Sequence, residues 1–179
     1  MFSAYQRISN LSALLSTCLL CLVGAISVSS FFFSADPKGV LSISNVNVHP
    51  SQNTHYRQRN HEYGFARFNV SADLTSLFNW NTKQLFVYVQ AEYTSADGTQ
   101  NEIVIWDRIV RRKEDAFIKV SNGRPKYPLR DMARTFKNAS PANYTLKYNL
   151  MPHVGVLTYG EAARTVEPVP FPAAQKRVS

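Results

Sequence analysis

The sequence predicts a mainly β protein: a single N-terminal transmembrane helix followed by an antiparallel β-sandwich. Three observations predict it. Residues 11–33, LSALLSTCLLCLVGAISVSSFFF, form an apolar run, and no charged side chain falls between Arg7 and Asp36. Beyond Asp36 the chain breaks into short alternating runs punctuated by Gly, Pro, Asn and Asp, the period-2 pattern of half-buried strands. Aromatic residues make up 12% of the chain, which favours a β core. The expected division is a short tail at 1–10, a span at 11–33 and a β domain at 34–179.

The first element is long enough to cross a bilayer core, which takes about 20 helical residues. Its serines and threonines can return their hydroxyls to carbonyls one turn back, so they do not spoil the span. Phe31, Phe32 and Phe33 fall near the far interface. The competing reading is a cleaved signal peptide, with Arg7 as its basic start, Leu11 to Ile26 as its apolar core and Ser27-Val28-Ser29 as its cleavage site. The aromatic triplet favours the uncleaved anchor, because it carries the apolar run past the length a signal peptide needs. Cys18 and Cys21 make a C-x-x-C, but inside the span they read as lipid-buried residues rather than a redox or zinc pair. Arg7 and Lys38 flank the span one on each side, so charge leaves its orientation open.

The β domain begins with VLSISNVNV, which ends at His49-Pro50; residues 51–62 are polar and loop-like. YGFARFNVSADL then alternates, placing Ala66, Phe68, Val70, Ala72 and Leu74 on one face. LFNWNTKQLFVYVQAEYTS supplies the next strand, with Leu85, Val87, Val89 and Ala91 facing one way. Asp97-Gly98 turns the chain and EIVIWDRIV returns it, so 84–111 reads as a hairpin. AFIKV is a short strand, a helical turn is expected near Asp131, and YTLKYNL at 144–150 alternates again. VGVLTYG follows, and a Pro-rich end, EPVPFPAAQ, closes the domain.

The formal net charge is +8, and residues 108–137 account for most of it, with ten basic side chains against Glu114, Asp115 and Asp131. That segment reads either as a solvated loop or as a contact for an acidic partner or lipid head groups. Nucleic acid is set aside, since only Phe117, Tyr127 and Phe136 interleave the charges.

No catalytic, cofactor-binding or metal-ligating residues are predicted. His49, His55, His61 and His153 form no metal-ligand spacing, cysteine is absent after residue 21, and no P-loop, G-x-S-x-G or G-x-G-x-x-G occurs. Asp107 and Glu92 lie on hairpin strands, where they read as facing carboxylates or as members of ordinary salt bridges. Sequons for N-glycosylation occur at Asn10, Asn69, Asn138 and Asn143. Asn143 ranks first, opening a strand after a Pro-containing loop. Asn69 needs an outward face, Pro141 disfavours Asn138, and Asn10 abuts the span.

LFNWNTKQLFVYVQAEY at 77–93, followed closely by IVIWDRIV, resembles the core of the third subunit of the ER signal peptidase complex. NYTLKYNLMPHVG at 143–155 and VPFP at 169–172 are similar to further segments of that family. Residues 112–140 match poorly, apart from Lys126-Tyr127 and Asp131, and His153 stands where an asparagine is expected. The resemblance implies a short cytosolic tail, a single-pass type II signal anchor in the ER membrane and a lumenal β-sandwich. It implies a non-catalytic subunit that stabilises and positions a serine protease removing signal peptides from nascent chains. The implied partners are that catalytic subunit, the other signal peptidase subunits, the membrane and, beyond them, the translocon. Asn143 falls on the family's glycosylated asparagine. Asn79, Trp80, Lys83, Gln84, Trp106 and Asp107 fall in its recognisable motifs, as core or interface. Trp80 in particular reads either as a core side chain or as an interface anchor. The alternatives are another anchored lumenal translocation or chaperone component, and an anchored hydrolase with a dispersed triad.

Overall fold

The computed structural model describes residues 3–50 and 61–175; the 51–60 part of the expected polar loop, with His55, lies outside them. The fold is mainly β, with one N-terminal helix and two antiparallel sheets. Helix α1 runs Ala4–Ser29 and continues as a 3-10 turn over Ser30–Phe32. Ser3 caps its start by accepting a hydrogen bond from the Gln6 amide at 3.3 Å. Ser16 and Thr17 donate to the carbonyls of Ser12 and Ala13 at 3.0 and 2.9 Å, so hydroxyls inside the apolar stretch find acceptors without water. No residue of α1 is buried by the rest of the chain, and the helix is long and apolar enough to cross a membrane.

The strands are β1 (Lys38–Pro50), β2 (Glu62–Asp73), β3 (Thr82–Thr94), β4 (Gln100–Val110), β5 (Phe117–Gly123), β6 (Leu129–Arg130), β7 (Asn143–Pro152) and β8 (Thr158–Arg164). One sheet has the order β1-β2-β5, with β6 also on β2; the other has the order β4-β3-β7-β8. The alternation read from the sequence is the alternation of burial. Ala66, Phe68, Val70 and Ala72 of β2, and Leu85, Val87, Val89 and Ala91 of β3, are all 2% exposed or less. They meet Ile118, Leu129, Tyr144 and Leu146 in one core. Burying a side chain of this size contributes about 1.5–3 kcal/mol.

The expected hairpin is β3–β4, paired from Leu85 with Val110 to Thr94 with Gln100. Its turn closes through Ser95, whose amide donates to Thr99, and Gly98 sits at φ +79°, where a Cβ is disfavoured. β4 bulges at Ile105, and the freed Ile105 carbonyl accepts the amides of both Lys126 and Tyr127, at 2.8 and 3.1 Å. The basic segment therefore departs from a plain solvated loop: part of it is a strap that covers the edge of β4. Asp131, 6% exposed, fixes the strap by accepting from the Ser95 hydroxyl and the Ala133 amide. Strand β8 and the two-residue β6 were not foreseen.

The chain's end closes the sandwich away from α1. Val169 and Ala142 exchange backbone hydrogen bonds of 2.8 Å, and Phe171 packs against Tyr93 and Phe136 at 5.1 and 4.7 Å between ring centroids. This is the place of the VPFP segment in the fold.

Candidate functional site

The candidate site lies where α1 meets the sandwich, and Asn79-Trp80-Asn81 builds it. A 3-10 turn over Thr75–Leu77 brings the chain to this point, and Asn79 makes a tight turn there. Its side-chain oxygen accepts from the Asn81 amide at 2.8 Å and the Thr82 hydroxyl at 3.1 Å, as asparagines do in turns. The Thr82 hydroxyl also donates to the Leu77 carbonyl at 2.8 Å.

This turn aims Asn81 inward, where it is 2% exposed. Its amide nitrogen donates to the Ser30 hydroxyl and to the Val154 carbonyl, both at 2.7 Å. Its side-chain oxygen accepts from the Val154 amide at 3.2 Å, and its backbone carbonyl accepts from the His153 amide at 2.7 Å. A single carboxamide thus joins the last turn of the helix, the head of β3 and the loop after β7. Gly155 lets that loop approach: at φ +123° a Cβ would sit 3.2 Å from the Ser27 hydroxyl oxygen. Burial makes such bonds costly to lose, because each orphaned group forfeits its water as well.

Trp80 is 62% exposed, which rules out a core role. Its ring meets Phe33 edge-on with centroids 6.2 Å apart. The other motif residues scatter. Lys83 is exposed, and Gln84 contacts the Met151 sulfur at 3.1 Å. Trp106 packs on Phe68 at 5.7 Å, inside the sandwich.

The paired-carboxylate reading fails on register. Asp107 faces Tyr88, and Glu92 faces Glu102. Asp107 pairs with Lys126 at 3.3 Å, and Glu92 with Lys147 at 2.7 Å and Arg164 at 3.5 Å. The Glu92 hydrogen bond holds the Lys147 ammonium above its ordinary pKa. Both carboxylates are thus held in ion pairs between neighbouring strands and loops. Among the described residues, no three His, Cys, Asp or Glu side chains gather as a metal site. The His49 ring hydrogen-bonds through Nδ1 to the Gln175 carbonyl at 3.1 Å and packs on Phe65 with centroids 6.2 Å apart.

Asn143 opens β7 opposite Glu92 and is half-buried, beside a groove of about 230 Å³ lined by Glu102, Ser140 and Pro141. Thr145 of its sequon is fully buried, with its hydroxyl unpartnered. Asn69 is exposed, but its side chain accepts from the Asn122 amide at 2.7 Å. Asn138 is exposed at φ +62°. The residues that sequence reasoning missed are Asn81, Ser30 and Gly155. The signal available for Asn81 was its place in Asn79-Trp80-Asn81, just ahead of the alternating run of β3.

A family sequence profile described as signal peptidase subunit matches residues 1–174. "Signal peptidase complex subunit 3" of Saccharomyces cerevisiae is 36% identical, over 90% of this chain and 92% of its own length. The protein of the same name from Yarrowia lipolytica is 33% identical, over 96% of this chain and 98% of its own. The human protein of that name is 35% identical over a shorter stretch, 62% of this chain and 61% of its own. With both the apolar helix and the sandwich inside the profile match, the chain belongs to the signal peptidase subunit family.

Proposed function

We propose that this chain is a non-catalytic subunit of the signal peptidase complex in the ER membrane. In this reading residues 1–10 are a cytosolic tail, 11–33 an uncleaved signal anchor, and 34–179 a lumenal domain. That domain stabilises and positions the serine-protease subunit that removes signal peptides. The naming of the relatives supports membership of the complex. The observation that carries the supporting role is the Asn81 lock, which ties the end of the apolar helix to the sandwich. A tether whose only task was attachment needs no such bond. A subunit that holds a protease active site at a set height above the membrane does. The same lock favours an uncleaved anchor, because cleavage near Ser29 would strip away the α1 turn on which Gly155 rests.

Mild-detergent extraction followed by affinity purification of this chain should bring down a protease that cleaves signal peptides. Recovery of the intact chain without any such protease would sink the proposal.

Asn143 is the proposed glycan acceptor. Thr145 lies in β7 between β3 and β8, so the sequon is open to a modifying enzyme only before β8 pairs. Asn143→Gln should abolish a glycosidase-sensitive mobility shift; a persisting shift moves the acceptor to Asn69 or Asn138.

A further inference from the structure

Beside the Asn81 lock, and sharing Ser30 with it, the same end of the sandwich carries an open surface. A groove of about 290 Å³ runs between the helix end and β7–β8, lined by Phe31, Phe33, Leu150, Val156 and Tyr159 among others. None of its thirteen lining residues carries a formal charge, in a chain of net charge +8. Of its lining, Phe31, Val156 and Tyr159 are 70, 63 and 69% exposed, and Trp80, next to Phe33, is 62% exposed. Aromatic and apolar side chains left bare together mark a contact surface.

Its depth follows from the helix. The charge-free helical stretch from Ile8 to Phe32 holds 25 residues, about 37 Å at 1.5 Å per residue. A hydrocarbon core is about 30 Å thick, with a few more ångströms of head groups on each side. With Arg7 at the near interface, Phe31 to Phe33 stand in the far headgroup layer. Trp80 packs on Phe33, so it stands at the same depth. Tryptophan is favoured there, with its ring among acyl and glycerol carbons and its N–H towards water. The β4–β5 loop reaches the same end of the sandwich, since the Ala116 carbonyl accepts the Leu74 amide just past β2. That loop exposes Arg111, Arg112 and Lys113 beside Glu114 and Asp115, a mixed-charge segment of the kind that sits among polar head groups.

We infer that the end of the sandwich is itself seated in the lipid headgroup layer, with Trp80 and Val156 inserted beside Phe33 and a phospholipid occupying the groove. This rests on the anchored reading above and adds a second membrane contact, one made by the β domain. It gives the Asn81 lock a purpose: helix and sandwich are held at one attitude because both sit in the bilayer.

The chain has only two tryptophans, and Trp106 is packed on Phe68 halfway along β4, so fluorescence can isolate Trp80. The full chain is reconstituted into phosphatidylcholine vesicles, and flotation establishes insertion. Lipids brominated near the headgroup end of an acyl chain should quench the emission more than lipids brominated near its methyl end. Trp80→Phe should lose that quenching and still float; Trp106→Phe should keep it. Flotation without Trp80 quenching overturns the inference and leaves the anchor standing. Unchanged quenching in Trp80→Phe also overturns it. Failure to float removes the anchored reading, and this inference with it. If Trp80 is unquenched in vesicles yet becomes shielded from iodide on co-purification with a partner, the surface is a protein interface and the lipid assignment is wrong.

Discussion

Phe68→Ala is expected to cost about 3–5 kcal/mol, the usual range for deleting a buried aromatic ring. Phe68 is fully buried on the central strand of its sheet and packs on Trp106 of the opposite one. It also bounds Gly123, where an added Cβ would come within 2.9 Å of its ring. Its loss therefore opens a cavity between the sheets that backbone movement cannot readily close. Thermal unfolding followed by circular dichroism should show a fall of roughly 10 °C or more. A shift of a degree or two would mean that the two sheets do not share one core.

Asn81→Leu is expected to separate the helix from the sandwich while leaving the sandwich folded. The substitution keeps the volume and removes every hydrogen bond that the Asn81 side chain makes across the junction. Both backbone polar groups of Val154 lose their partner, at about 1–3 kcal/mol for each group that water cannot reach, and the Ser30 hydroxyl is left with only its bond to the Ile26 carbonyl. The core residues themselves are untouched, so unfolding of the β domain should move much less than in Phe68→Ala. Spin labels on α1 and on β3 should report a narrow distance distribution in the parent chain and a broad one in Asn81→Leu. A narrow distribution in the variant would show that some other contact fixes the helix.

The strands were legible because their information is local. Alternation in β2 and β3 names the core face residue by residue, and a one-residue slip of β2 would expose Phe68 and Val70 together. The hairpin was legible for the same reason, since Asp97-Gly98 sits between two alternating runs. The junction was not legible in this way. The value of Asn81 depends on Ser30 and Val154, which are 51 and 73 residues distant, and no period or spacing connects them. In Asn79-Trp80-Asn81 the large residue, Trp80, is the one that residue type marks as core or interface, whereas the bonding is done by its smaller neighbour. The strap over β4 was hidden for a related reason. Its charge invited a reading about partners, while its fixed points are backbone amides of Lys126 and Tyr127 and a buried Asp131. Strand β8 escaped because TYGEAAR has small residues where a core strand has large ones. Gly160 explains part of that: the Tyr148 ring of β7 lies across it and leaves no room for a side chain.

The central claim is that this chain is needed for signal-peptide removal without performing it. The direct measurement is processing of a newly made secretory precursor in ER microsomes depleted of this chain, then resupplied with it. Depletion should leave uncleaved precursor, resupply should restore cleavage, and the purified chain alone should cleave nothing. Normal processing in fully depleted microsomes, or cleavage by the chain in isolation, would contradict it.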